Sequence, residues 1–403
     1  MILVCEMTWT GTIHAPGNSA TIQVIARAFP GQAVRVLADA SHIAELRRDP
    51  ALTGLANVHF RPIEVSPLFL GKTHVVSGRR FRQEFATLRA ALRDVPPDEG
   101  CLLMLISATP TAVFAAALLG RVRRRRLGVQ VGLHGNLNEI TEWRPRNPLT
   151  RRFDLASALA LPVPIPKRAS RLRFLVLEQP IKDALARIAP AAAARTDVLP
   201  LPVNLAELPE QAPPRMVPPI RIGFVGQGTQ AKGFDVFLTL ARDLKARHGE
   251  RVAFHLIGRA VPGADLAPFA ALADPPTREH LSRAEFVARL ATMHYVLLPF
   301  REGYYNLSAS GALIDAITWL KPVIATGVPL VRHLFDQFGG IGFACDGEGG
   351  LRRAVETVLA DMDQGRYDGQ VAALRRLRDS RRPEALAEVY RGLVTSGFAG
   401  LLD

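Results

Sequence analysis

The stretch Ile220-Arg-Ile-Gly-Phe-Val-Gly226-Gln-Gly228-Thr-Gln-Ala-Lys232-Gly233-Phe-Asp235 decides the fold. A buried apolar run meets a glycine-rich turn, and an amphipathic helix follows over Phe234–Arg247. That order is the opening unit of a doubly wound α/β sheet, with backbone N–H groups gathered at a helix start. Read literally, Gly226-Gln-Gly228-Thr-Gln-Ala231 matches a dinucleotide fingerprint, but no acid ends the next strand, which closes at Gly258-Arg259. It is not a phosphate loop of the Gly-Lys-Ser/Thr kind, because Lys232 precedes Gly233 and no hydroxyl residue follows the lysine.

Downstream, the alternation continues through VAFHLIG, a helix near Arg283–Thr292, YVLLPF, SGALIDAITWL, PVIAT and IGFAC, then helices only from about Gly350. Upstream, MILVCEM, AVRVLAD, VHFRPIEV, LLMLISA, VQVGLHG, RFLVLEQ and DVLPLPV read as strands. Between them lie helices such as SATIQVIARAF, FRQEFATLRAALRDV and IKDALARIA. Continuous apolar strands separated by helices predict parallel sheets covered on both faces. Prolines cluster without periodicity in ELPEQAPPRMVPP, which reads as a linker. The fold class expected is therefore α/β, two Rossmann-like doubly wound domains facing a cleft. Residues 1–206 form the first; 207–219 link; 220–380 form the second; and 381–403 give a C-terminal helix packing back on the first.

The 403 residues suit two cores. Cys5, Cys101 and Cys345 are too few and too scattered for a disulfide framework or a zinc site, which fits a reducing cytoplasm. MILVCEMTW lacks a basic leader and reads as a first strand. Residues 101–120 carry no charge over a length that could span a bilayer, but Pro110 interrupts them. A strand followed by a buried helix is the expectation. The net charge of +13 suits acidic partners. From Leu118 to Lys182 there are 14 Arg or Lys against 4 acids, among them Arg121, Arg123–Arg126, Arg144, Arg146, Arg151, Arg152, Lys167, Arg168, Arg171 and Arg173. No aromatic interleaving or helix-turn-helix pattern accompanies them, so an anionic membrane surface is expected and nucleic acid is not.

Lys232 at the helix entrance can pair with a diphosphate. Ser310 is a natural N-cap, Gly311 opens a helix, and Asp315 sits one turn along, placed to accept ribose hydroxyls. Together they describe a nucleoside-diphosphate site.

These residues resemble glycosyltransferase family four (glycosyl transferases group 1) and its relatives, retaining enzymes of the GT-B architecture. The resemblance rests on FVGQGTQAKGFD and on VLLPF…SGALIDAITWLKPVIAT, and covers Ile220–Cys345 well. It implies transfer of a sugar from a nucleotide-sugar donor to a glycan or lipid-linked acceptor, in envelope or exopolysaccharide synthesis. It implies no cofactor and no metal; the one Asp-x-Asp, Asp361-Met-Asp363, reads as part of a polar terminal helix. Lys232 falls on the family's phosphate-binding lysine and Asp315 on its ribose-binding carboxylate. His134 falls on a histidine facing the donor sugar. Glu302 stands in the acidic loop with Tyr305 and Ser308, and Lys232, His134 and Glu302 are the catalytic residues expected on this resemblance. Gly226, Gln227, Gly228, Tyr305, Ser308, Ser310 and Gly311 complete the donor set. Leu307 stands where the family has its first glutamate, and Gln227 where it has an arginine. In the first half, Gly11, His14 and Gly17 in TWTGTIHAPGN suit close approach of a phosphate or acceptor, and Glu139 and Glu142 lie toward the same edge. The alternatives are an NADP-dependent oxidoreductase built on Gly226–Ala231 and Arg259, and a catalytically degenerate nucleotide-sugar-binding protein.

Overall fold

A computed structural model describes residues 1–96, 99–107, 109–122, 126–135, 137–138, 140, 148–161, 171–205, 212–261, 263, 265–274, 277–279 and 281–402. They fall into two compact units. One comprises Met1–Ala206, Leu307–Ala309 and Arg381–Asp403; the other comprises Glu207–Asn306 and Ser310–Ser380.

The first unit is built on seven strands: β1 (Ile2–Glu6), β2 (Val34–Ala38), β3 (Val58–Pro62), β4 (Cys101–Ser107), β5 (Leu127–Gly132), β6 (Arg171–Val176) and β7 (Thr196–Val198). Their order is β3-β2-β1-β4-β5-β6-β7, and every pairing is parallel. Val4 sits opposite Val36 on one side and Met104 on the other. Helices cover both faces of such a sheet, so β1, β4 and β5 are apolar at nearly every position and wholly buried. Chain order reverses between β1 and β4, which opens a crevice at their C-terminal ends.

Within residues 101–120 the expected strand and the helix after it are both present. β4 is followed by the helix Pro110–Val122, with Pro110 in its first turn, where a missing N–H costs nothing. Among the described residues no helix is long and apolar enough to cross a membrane. All three cysteines are buried and free. The last helix, Pro383–Gly397, seals one face of the first sheet: Tyr390, Val394, Phe398 and Leu401 lie in the same apolar cluster as Val4 and Met104. Polar contacts fix it there. Tyr390 donates to Gln130 Oε1 at 2.7 Å, and Arg381 places two hydrogen bonds, 2.6 and 3.0 Å, on the buried Glu178 carboxylate.

The second unit has five strands: β8 (Ile220–Gly228), β9 (Val252–Ala260), β10 (Tyr295–Leu298), β11 (Val323–Thr326) and β12 (Gly342–Cys345). Their order is β12-β11-β10-β8-β9, again all parallel. The reversal here falls between β8 and β10, so the chain leaving each of these strands borders one crevice. A helix, Pro329–Phe338, joins β11 to β12, where the sequence reading named none. Its signal was present: proline in the first turn and Gly339 just past the end. Asp361-Met-Asp363 is corrected as well. Asp361 ends the helix Gly347–Asp361, Met362 takes a left-handed conformation, and Asp363 accepts from Arg366 N at 3.0 Å before the helix Gln364–Ser380. The pair marks a helix break and is occupied by Arg366.

Candidate functional site

Strand β8 does not turn at its first glycines. It stays paired with β9 to its end, with Gly226 opposite Gly258, Gln227 opposite Arg259 and Gly228 opposite Ala260. This corrects the expected turn at Gly226–Gly228. The glycines serve close packing: a β-carbon on Gly258 would lie 1.9 Å from Gly226 O, and one on Gly228 would lie 2.7 Å from the Phe234 ring. The turn itself is Thr229–Gly233, a 3-10 turn over Gln230–Lys232 that ends in Gly233 at φ 76°. Gly233 then starts the helix Phe234–His248 with no side-chain cap. A β-carbon there would sit 1.9 Å from Pro299 O, so only glycine lets this turn lie against the exit of β10.

Lys232 is half-buried, and its side chain folds back over the strand end. A β-carbon on Gly226 would lie 3.5 Å from Lys232 Nζ. The ammonium makes no ion pair or hydrogen bond among the described residues, and desolvation lowers its pKa. A cation stripped of part of its water without a counter-ion is a standing demand for an anion. The start of a 15-residue helix beside it has the same polarity. Arg301, which the sequence reading passed over, ties the loop after β10 to this turn. Its Nε donates to Gln230 O at 2.9 Å, and its Nη2 pairs with the Asp235 carboxylate.

The loop after β10 holds the second group. Tyr305 is buried edge-to-face against Phe300 and Tyr304, at ring separations of 4.5 and 4.7 Å. Burial pushes its phenol up to about 12, against a hydrogen bond with the Ser310 side chain that works the other way. Ser310 is buried and caps the helix Gly311–Thr318, accepting from Leu313 N at 3.3 Å. Gly311 faces open space. Asp315 follows one turn later, half-buried, with Arg283 Nη1 at 4.0 Å. Glu302 is exposed. Leu307–Ala309 group with the first unit, where Leu307 is a core residue and Ser308 is 9% exposed. A carboxylate could not occupy that core position cheaply.

In the first unit, His134 follows β5 by two residues. Burial pushes its imidazole down to about 4, with His14 adding to the effect. His14 precedes the helix Ala15–Ala28 at φ 59°, its ring 5.0 Å from that of Trp9. Gly17 lies inside that helix, a correction to its place in the loop. Sequence reasoning missed the group beneath. The buried Glu6 carboxylate accepts from Thr8 N (2.8 Å), Trp9 N (3.1 Å), Ser107 Oγ (2.7 Å) and Asn18 Nδ2 (3.3 Å). Burial pushes it up to about 7 all the same. Asn18 also meets His42 Nε2 at 3.0 Å, and His42 Nδ1 lies 2.8 Å from Gly11 O. Glu139, Glu142, Arg123–Arg125, Arg144, Arg146, Lys167 and Arg168 lie outside the described residues. Arg121, Arg126, Arg151 and Arg152 are exposed, while Arg173 is held by Asp197 at 2.6 and 2.8 Å.

No protein-family model and no curated protein sequence matches the chain. Solved structures do. A glycosyltransferase from Rickettsia africae ESF-5 superposes with a TM-score of 0.64 at 10% identity, over 99% of both chains. An E. coli trehalose-6-phosphate protein bound with UDP-2-fluoro glucose gives 0.62 at 10% identity, also over 99% of both. WaaG, a glycosyltransferase involved in lipopolysaccharide biosynthesis, gives 0.56 at 13% identity, over 98% of this chain and 100% of its own. The fold is thus the two-sheet GT-B architecture.

Proposed function

We propose that the chain is a glycosyltransferase that moves a sugar from a nucleoside-diphosphate donor, bound by the second unit, to a glycan or lipid-linked acceptor. One observation carries this reading: the ammonium of Lys232, unpaired among the described residues and folded over Gly226 at the C-terminal edge of a parallel sheet. As the anomeric carbon–oxygen bond breaks, charge grows on the departing phosphate, and groups already in place stabilise it best. Lys232 and the helix starts at Gly233 and at Ser310-Gly311 are such groups. Asp315 is the proposed ribose ligand, its carboxylate oriented by Arg283. On this reading the reaction is metal-independent, the anomeric configuration is retained, and no resident cofactor takes part.

The setting proposed is envelope or exopolysaccharide synthesis at the cytoplasmic face of a membrane. Exposed Leu118, Leu149 and Phe153 among Arg121, Arg151 and Arg152 support peripheral attachment to anionic lipid. Sedimentation with phosphatidylglycerol vesicles tests this; equal recovery of wild type and the Leu149→Asp/Phe153→Asp variant in the supernatant removes it.

Calorimetry with UDP, GDP, ADP and NADP⁺ tests the donor reading. One diphosphate should bind and NADP⁺ should not. The reverse result favours a dehydrogenase built on Gly226–Ala231 and Arg259. Transfer or hydrolysis of the matching sugar donor separates an enzyme from a binding protein.

A further inference from the structure

In the second unit, Gln227 lies opposite Arg259, each one residue from the end of its strand. Residues in register across parallel strands point to the same face of a sheet, so these two side chains leave together. The helix Phe234–His248 covers one face, where Phe234 and Phe237 pack on Phe224 and Phe254. Gln227 and Arg259 lie an odd number of residues beyond those two, hence on the other face. Alternation holds to the strand end, since a β-carbon on Gly228 would again meet the Phe234 ring. The chain steps one way across the sheet from β8 to β9, and the other way from β9 to β10 and on to β11. Right-handed crossovers therefore put the helices Arg283–Ala291 and Gly311–Thr318 on the face of Arg259. Arg259 stands at the C-terminal edge, on the side that carries the Ser310 cap and Asp315.

Arg259 is half-buried and makes no hydrogen bond, ion pair or ring contact among the described residues. The Gln227 side chain makes none among them either. Lys232 reaches the same strand end from the following turn: its Nζ lies over Gly226, the residue before Gln227 and the partner of Gly258. Asp235, in the first turn of the next helix, is already held by Arg301. Two cations without counter-ions thus converge on paired glycines, where no side chain stands between them and the backbone. Like charges partly stripped of water are unfavourable together until an anion joins them.

We propose that Arg259 is a second phosphate-binding cation, gripping from the β9 side the diphosphate of the transferase reading on which this assignment rests. Lys232 grips the same group from the turn, and Gln227 donates its amide hydrogens to it. A guanidinium suits the place because its planar fork meets two oxygens of one phosphate. In a dinucleotide fold an arginine here would take the 2′-phosphate of NADP. That fold needs its glycines at the turn, open to a pyrophosphate. Here Gly226 and Gly228 are still inside the paired strand, packed on Gly258 and Phe234. The diphosphate is then the anion that fits Arg259.

Calorimetry on the full chain with UDP, GDP, ADP, NADP⁺ and inorganic pyrophosphate tests the assignment. Wild type should bind one nucleoside diphosphate, and bare pyrophosphate more weakly. Arg259→Ala should weaken both by the same factor, about tenfold. Arg259→Lys should recover part of that loss, because the charge returns without the fork. Added salt should weaken wild type more steeply than Arg259→Ala, which has one cation fewer to screen. An unchanged diphosphate Kd in Arg259→Ala overturns the proposal. So does a loss confined to the nucleoside diphosphate with pyrophosphate unaffected, which would put Arg259 on the base or ribose. Weaker NADP⁺ binding with the diphosphates untouched overturns it as well. Failure of the transferase reading is distinct, since wild type itself would then bind no diphosphate, and the assignment falls with it.

Discussion

The ammonium of Lys232 lies over Gly226, 3.5 Å from where that glycine's β-carbon would be. Its neighbour is therefore bare backbone, and no carboxylate among the described residues pairs with it. Lys232→Ala should weaken nucleoside-diphosphate binding by about 10- to 100-fold, roughly 1.4–2.7 kcal/mol, with urea unfolding unchanged. Lys232→Arg should recover part of the loss, because the charge returns in a different geometry. An unaltered Kd in the alanine variant would sink the site.

Gly233 meets the carbonyl of Pro299 as closely as Gly258 meets that of Gly226. Gly233→Ala combines a positive φ with a β-carbon 1.9 Å from backbone oxygen, and should cost about 3 kcal/mol in chemical denaturation. Gly263→Ala isolates the backbone term, since its φ of 78° is close to the 76° of Gly233 but a β-carbon there has nothing within 4 Å; about 1 kcal/mol is expected. Equal losses in the two variants would show that the Pro299 contact is not tight.

Glu6 and His134 should tilt stability in opposite directions with pH. Glu6 rises from 4.5 to about 7, so the folded state holds its proton longer; its contribution is full below 4.5 and is lost as pH climbs toward 7. The size is on the order of 3 kcal/mol. His134 falls from 6.5 to about 4, so its contribution is present above 6.5 and is lost as pH drops toward 4. Glu6→Gln should therefore gain on wild type as pH rises across that range, and His134→Gln should gain as pH falls. Urea titrations at intervals from pH 4.5 to 7 read both slopes. Parallel curves for wild type and Glu6→Gln would mean that Glu6 stays ionised.

The sheets were legible because each strand is its own signal. Runs such as Ile2–Cys5 and Val296–Leu298 are apolar at every position, and a strand buried on both faces needs nothing else. Ser310 was legible as a cap for the same reason, since the bond to Leu313 N spans three residues. Arg301 was not, because its partners Gln230 and Asp235 lie 71 and 66 residues away.

What the sequence settled by itself is local: strand and helix periods, the cap at Ser310, the lysine at a glycine turn. Tertiary structure decided which glycines turn and which make room, and that Glu6 gathers Ser107 from 101 residues away. The physical reason is range. Propensity and capping act within a few residues, whereas desolvation and close backbone approach depend on which distant segments the folded chain brings together.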